Sequence, residues 1–393
     1  MDRQSISRWL LEESTSCPDF RGVVQGLADR LNESGLPILR LSVGFDMLHP
    51  EMLAANYTSH RGDRFVHRTE VPHGVLRTDL YEQSPYKPII EGTVSLRRRL
   101  VGPDAQMDFP ILDDLRADGG ANYLVVGLPR SDGKVNRCSY VTDRAEGFTD
   151  TEIADLISLR IELGLIAELY GRARMTRGLL DLYLGTEAGP RIYNGQIKRG
   201  EGATIRSVIL IGDLRGFTHL SETLPLDALT ALLNQYFEAT IGPILSHGGE
   251  VLKLMGDGVL GVFPIRSEAE IDRACEDALN AAELAMANIA LLNRRRLRQG
   301  EEPLASGIGL HVGNAMYGNV GTSERLDFTV IGPNVNLCAR LEALAGAEGR
   351  HIVCSAEFAE HSSGTMQSIG FHTLKNIGHP VEAFVPVPDR GSA

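Results

Sequence analysis

Apolar residues fall in two periods along this chain, and the switches between them mark where helices give way to strands. Residues 5–13 and 19–32 carry apolar side chains at steps of three and four, which predicts two helices. Pro37–Gly44, Asn122–Leu128 and Arg137–Thr142 are short, apolar and β-branched, which predicts strands. Between His60 and Lys87 the chain is polar and rich in charge, Pro and Gly, and reads as irregular. Thr149 followed by Glu152 is a capping-box pattern, opening a helix expected to run to about Leu184. Within it Leu156, Leu159, Leu163, Ile166 and Tyr170 alternate steps of three and four, an a/d seam, while Ile157, Ile161 and Leu165 widen the apolar face. Such a helix either packs on its own domain or pairs with a second copy as a parallel coiled coil.

After a stretch of glycine and turn-forming residues (183–200), the period switches repeatedly. The pattern predicts a strand at 205–213, a helix at 225–245, a hairpin at 250–263 and a helix at 268–299. Strands at 304–313 and 326–331, a helix at 334–345, a strand at 351–354 and a closing pair near 370–385 follow. That is an α+β, ferredoxin-like alternation, expected to give a sheet covered by helices on one face.

A length of 393 residues suits two domains and a connector. No apolar run approaches a membrane span, and the polar N-terminus does not read as a signal peptide. The five cysteines, Cys17, Cys138, Cys275, Cys338 and Cys354, are scattered without ligand spacing, so a reduced, cytoplasmic protein is expected. Cys138, inside a predicted strand, reads as a packed residue. His49, His60, His67 and His73 also lack metal-ligand spacing and read as loop or surface residues. The net charge of −12 argues against a nucleic-acid-binding surface. The Arg294-Arg-Arg-Leu-Arg298 cluster reads as a solvated helix end, where cations suit the macrodipole.

The chemistry concentrates between Arg206 and Phe263. An apolar run, Ser207-Val-Ile-Leu-Ile-Gly212, ends at Asp213, and two apolar segments flank Gly256-Asp257-Gly258, a hairpin signal. Two carboxylates at strand ends beside glycines are the donor set for a hard divalent cation that keeps phosphate oxygens among its ligands. Lys253 shares the parity of Asp257; in a regular strand both would point to one face, roughly 13 Å apart. A lysine inside an apolar strand is costly unless its ammonium meets a partner.

Asp213-Leu-Arg-Gly-Phe-Thr218, Lys253-Leu-Met-Gly-Asp-Gly258 and Asp327-Phe-Thr-Val-Ile-Gly-Pro-Asn-Val-Asn-Leu-Cys-Ala-Arg-Leu-Glu342 together resemble the class III nucleotidyl cyclases in order and spacing. The resemblance covers about residues 190–388 and implies an adenylate cyclase that converts ATP to 3′,5′-cyclic AMP and pyrophosphate. It implies that Asp213 and Asp257, with backbone near Leu214, hold two Mg²⁺ or Mn²⁺ ions. Lys253 and Thr329 match the base-selecting positions, in the Thr-bearing subgroup, with Phe217 and Thr218 also at the nucleotide. Asn336 and Arg340, i and i+4 on one helix, match the pair that orients the ribose and stabilises charge on the α-phosphate, and Lys375 matches the terminal phosphate-binding lysine. Pro333 departs from the family's usual Asp, and Arg215 is a tolerated variant. Because each motif occurs once, the resemblance implies a homodimer with composite sites. A guanylate cyclase, disfavoured by Lys253, and a non-catalytic nucleotide-binding receptor are the alternatives. A diguanylate cyclase lacks its Gly-Gly-Asp/Glu-Glu-Phe motif here.

The expected organisation is thus 1–148, 149–184, 185–203 and 204–388. The first segment resembles a GAF-type sensory domain, which either binds an unidentified small molecule or only dimerises. A coiled-coil signalling helix, a coupling element and the catalytic domain follow. The pairing reading of the long helix is preferred because catalytic sequence comes directly after it.

Overall fold

A computed structural model describes residues 2–387, the side chain of Glu187 apart; the expected boundary at 388 lies outside them. The chain divides into two compact units between Leu179 and Leu180. No helix among the described residues is long and apolar enough to cross a membrane.

The first unit opens with helices α1 (Arg3–Glu12) and α2 (Phe20–Glu33), capped by the Asp2 and Asp19 carboxylates. Strands β1 (Arg40–Asp46), β2 (Met52–His60) and β3 (His67–Pro72) come next. Short helices α3 (Asp79–Glu82) and α4 (Tyr86–Ile90), strand β4 (Ser95–Arg99) and helix α5 (Ile111–Ala117) precede β5 (Asn122–Pro129) and β6 (Val135–Thr142). The six strands form one antiparallel sheet in the order β3-β2-β1-β6-β5-β4. The region from His60 to Lys87, read from sequence as irregular, instead contains β3, and β2 ends at His60. β3 was hidden because its side chains are mostly exposed and polar, as an edge strand allows.

Helix α6 (Asp150–Ser158) starts on the expected capping box: Thr149 and Glu152 satisfy each other's backbone N–H. After a break at Leu159, α7 (Arg160–Tyr193) continues into the first half of the expected coupling region, with one non-helical residue, Gly185, at φ 87°. The expected seam does not face outward. Leu156, Leu159, Leu163 and Ile166 are buried in the core between the sheet and α1 and α2, beside Cys138. Tyr170 packs its ring on Phe20 and donates its hydroxyl to the carbonyls of Ser14 and Cys17. A heptad pattern records an apolar face and cannot say which partner covers it; here the unit's own sheet does. The face left open carries Ile161, Leu165 and Leu169, at 48, 54 and 53% exposure.

The second unit contains β7 (Gly202–Leu214), α8 (Phe217–Thr223), α9 (Leu226–Ser246), β8 (Glu250–Met255), β9 (Gly258–Ile265) and α10 (Ile271–Arg298). It continues with β10 (Ser306–Gly321), β11 (Leu326–Ile331), α11 (Pro333–Ala347), β12 (Ile352–Ser355), α12 (Ala356–His361), β13 (Met366–His372) and β14 (Val381–Pro386). The sheet order is β13-β14-β12-β10-β7-β9-β8, with β11 on the free half of β10. Helices cover both faces, not one. Val208 and Leu210 of β7 point into a core with α10 and α12, while Ile209 and Ile211 point into another with Cys338 of α11 and Ala188 of α7. A continuous apolar strand is buried on both sides, which is what a two-sided cover requires. β10 runs eight residues past its expected end; its Gly-rich half is held as strand by β7 on one side and β11 on the other. Arg296 is not solvated: it is buried, pairs with Glu301 and donates to the Glu302 carbonyl.

All five cysteines are free thiols; four are buried and Cys17 is partly exposed.

Candidate active site

β7, an interior strand, carries Asp213 at its C-terminal end, and the β8–β9 turn carries Asp257 beside it. Gly256, at φ 69°, occupies the first central position of that two-residue turn, where glycine is favoured. Gly258 is needed for a different reason: a Cβ there would lie 3.1 Å from Oδ1 of Asp213. Burial raises the Asp213 carboxyl above the ordinary range and the charge of Asp257 raises it further; burial also raises Asp257. Burial makes the ionised form of both carboxylates costly, and the charge of Asp257 adds to the cost at Asp213; a bound cation relieves it. Leu214 is buried, so only its backbone could serve the site.

A third carboxylate stands behind them. Glu342 lies on the buried face of α11, and burial, against the pull of Arg215 and with the push of Asp213 and Asp257, lifts it to about 7. Arg215 reaches it through a slot: Nη2 is 2.8 Å from the Glu342 carboxylate and donates at 2.7 Å to its main-chain carbonyl. Gly307 and Gly346 form the walls of that slot, since a Cβ on either would collide with the guanidinium. Arg215 therefore ties the strand that bears Asp213 to the helix that bears Asn336 and Arg340. The sequence reading took Arg215 only as a tolerated variant and gave Glu342 no role, although a Glu four residues after Cys338 on the apolar face of a helix was a visible signal.

Lys253 and Asp257 do not share a strand face. β8 ends at Met255 and Asp257 lies in the turn, so the alternation that the parity argument assumed stops short of Asp257. The Lys253 ammonium instead pairs with Asp327 of β11. Thr329, two residues on, shares that strand face, while Phe328 and Val330 are buried on the other. The partner that an intrastrand lysine needs is thus Asp327, a residue the sequence reading quoted but gave no role.

Pro333 occupies the first position of α11, where its missing N–H costs nothing, so the departure from the family pattern is absorbed. Asn336 is exposed and Arg340 half-buried, one turn apart, opposite the buried Cys338, Leu341 and Glu342. Lys375 is exposed in the β13–β14 connection, beside Asn376 at φ 62°. Asn336, Arg340 and Lys375 make no side-chain hydrogen bond or ion pair among the described residues. Phe217 packs beside Leu214 under α9, and Thr218 is exposed in the first turn of α8. The structure therefore gathers Asp213 and Asp257 into one cluster and sets Lys253 against the Asp327 and Thr329 strand. It leaves the side chains of Asn336, Arg340 and Lys375 without hydrogen-bond or ion-pair partners among the described residues.

Residues 204–377 match the family described as the adenylate and guanylate cyclase catalytic domain. Over residues 204–377 the chain carries an adenylate and guanylate cyclase catalytic domain. It is 27% identical over 221 residues to adenylate cyclase 1 of Rhizobium meliloti, covering 55% of this chain and 33% of that one. It is 32% identical over 171 residues to an adenylate cyclase of Anabaena cylindrica, covering 42% and 33%. The chain thus spans about a third of the length of these curated relatives. The solved structure of the adenylyl cyclase CyaB from P. aeruginosa is 29% identical with a TM-score of 0.44, covering 49% of this chain and 98% of that one.

Proposed function

We propose that this chain is an adenylate cyclase, acting as a homodimer whose N-terminal GAF-like unit senses a small molecule and regulates cyclic AMP output. The observation that carries the reading is the pair Asp213 and Asp257, two carboxylates whose mutual repulsion calls for a cation, in the same cyclase domain as the Lys253–Asp327 pair. Asp213 and Asp257, with the backbone at Leu214, would hold two Mg²⁺ or Mn²⁺ ions, which when bound supply charge to the triphosphate and acidify the ribose 3′-hydroxyl. Lys253 donates to the adenine edge, with Thr329 beside it and Asp327 fixing the ammonium in place. Phe217 and Thr218 line the approach from β7, and Lys375 meets the terminal phosphates. Asn336 orients the ribose, and Arg340 places planar N–H donors on the α-phosphate as its charge builds. The 3′-oxygen attacks the α-phosphorus, the bond to the β-phosphate oxygen breaks, and pyrophosphate leaves.

That Asn336 and Arg340 make no side-chain hydrogen bond or ion pair among the described residues supports a site completed by a second copy, in which each chain lends these two residues to its neighbour's aspartates. The first unit's helices, antiparallel sheet and departing helix support the GAF-like reading. The deciding experiment incubates the purified chain with ATP or GTP and Mn²⁺ and identifies the product. Cyclic AMP from ATP is expected. Cyclic GMP alone would make it a guanylate cyclase, and no cyclic product from either would leave a non-catalytic nucleotide receptor.

A further inference from the structure

The sheet of the first unit buries one face against α1, α2 and α7. Its other face opens, between β1, β2, β6 and residues 75–90, into a cavity of about 540 Å³, within the range of small-molecule sites. The walls are apolar: Val71, Val75, Leu76, Leu80 and Ile90. The floor is not. Asp46, Asn56 and Arg137 meet there, and Gly44 of β1 is what lets two of them lie flat on the sheet. A Cβ on Gly44 would strike the Asn56 carboxamide and come within 3.5 Å of Nε of Arg137.

Arg137 is fixed before any ligand arrives. Its side chain is only 9% exposed, Nη1 donates to Asp46 at 3.2 Å, and the guanidinium stands 5.7 Å from the centroid of the Tyr86 ring. Asp46 also holds Arg130 at 3.3 Å, and Arg130 in turn reaches Asp132. These two arginines and two aspartates balance. Lys134 lines the same cavity without an ion pair among the described residues, so the surplus charge at the cavity is positive in a chain of net charge −12. The remaining N–H groups of Arg137 and the carboxamide of Asn56 have no hydrogen-bond partner among the described residues. A desolvated, pre-oriented guanidinium with donors to spare selects a planar anion, and the apolar walls select what that anion is attached to.

We propose that this cavity binds a small amphipathic carboxylate, its carboxylate on Arg137 and Asn56 and its apolar body against Val71, Leu76, Leu80 and Ile90. The proposal deepens the sensory role proposed above and rests on it for its consequence, while binding itself is measured without nucleotide. The full chain is titrated calorimetrically with octanoate and 4-phenylbutyrate, and with octanol and octylammonium as the neutral and cationic counterparts. At least one carboxylate should bind about 10-fold or more tightly than octanol, the discrimination of a charge-assisted bond. Arg137→Leu should erase that preference. Because Asp46 then loses a partner and the variant can misfold, Asn56→Leu is the second probe, and it should weaken the carboxylate several-fold while leaving octanol unchanged. Octanol binding as well as the carboxylates, neither carboxylate binding, or no effect of Asn56→Leu overturns the proposal. A carboxylate that binds as expected but leaves cyclic-nucleotide output unchanged upholds the site and removes the sensory role.

Discussion

Replacing Arg215 by leucine removes the cation that pairs with the buried Glu342, and the cost should depend on pH. Burial holds the Glu342 carboxyl near 7 in the folded chain, above its ordinary 4.5. A raised carboxyl makes the folded state the better proton binder, so its contribution is fully present below 4.5 and is lost as pH rises through 7. At pH 6 Glu342 is therefore mostly neutral. Arg215→Leu then forfeits chiefly the 2.7 Å bond to the Glu342 carbonyl, about 1.5–3 kcal/mol for a charged donor. At pH 8 the carboxylate is mostly ionised, and stripping its partner should cost more. Arg215 also pulls the Glu342 carboxyl down, so without it the group holds its proton to higher pH. Linkage through this one proton limits the growth of the loss between pH 6 and pH 8 to about 1 kcal/mol. Urea denaturation of the full chain in chelator at pH 6, 7 and 8 measures it. Glu342→Gln is the control, since it should flatten the pH dependence and shrink the penalty of Arg215→Leu at pH 8. An equal penalty at both pH values, or one unchanged in the Glu342→Gln background, would refute the assignment of Glu342 as a buried, titrating partner of Arg215.

Further outcomes concern the site and the assembly. Lys253→Glu should lower ATP turnover at least ~10-fold, and Asp327→Ala less, because the nucleotide can replace Asp327 as the ammonium's partner; steady-state kinetics with ATP and GTP compare them. Asp213→Ala and Arg340→Ala should each be nearly inactive alone yet partly restore activity when co-expressed, since one composite site of the mixed dimer is intact. Subunit exchange without recovery would sink the composite site. Gly346→Ala should lower the melting temperature by several degrees in wild type and by less beside Arg215→Ala, the slot then being empty. Leu165→Glu should weaken self-association in sedimentation analysis if the open face of α7 pairs between copies, whereas Leu163→Glu should unfold the first unit.

Much of the second unit was legible because its strands and helices carry their own periodicity. The run ending at Asp213 and the glycine-flanked Asp257 already mark one carboxylate at a strand end and the other in a tight turn. What stayed hidden depended on long-range neighbours. β3 carries mostly exposed polar residues and takes its strand form from β2. The register shift ahead of Lys253 turns on β9, which a local pattern cannot contain. The seam from Leu156 to Tyr170 was read with the right residues and the wrong partner, because apolar spacing is the same whether a sheet or a second helix covers it. Glu342 and Arg215 lie 127 residues apart, and only the two intervening glycine walls explain why they meet.

The uneven burial of the thiols has a practical side. Burial raises Cys138 and Cys275 to about 12, and Cys338 and Cys354 higher still, so at neutral pH none of the four offers a thiolate. Cys17 alone is partly exposed, in the turn whose carbonyl accepts from Tyr170. The native chain therefore comes with a single reactive handle. A maleimide dye or spin probe attached without any mutagenesis will sit at Cys17, where it watches the contact between the N-terminal helices and α7.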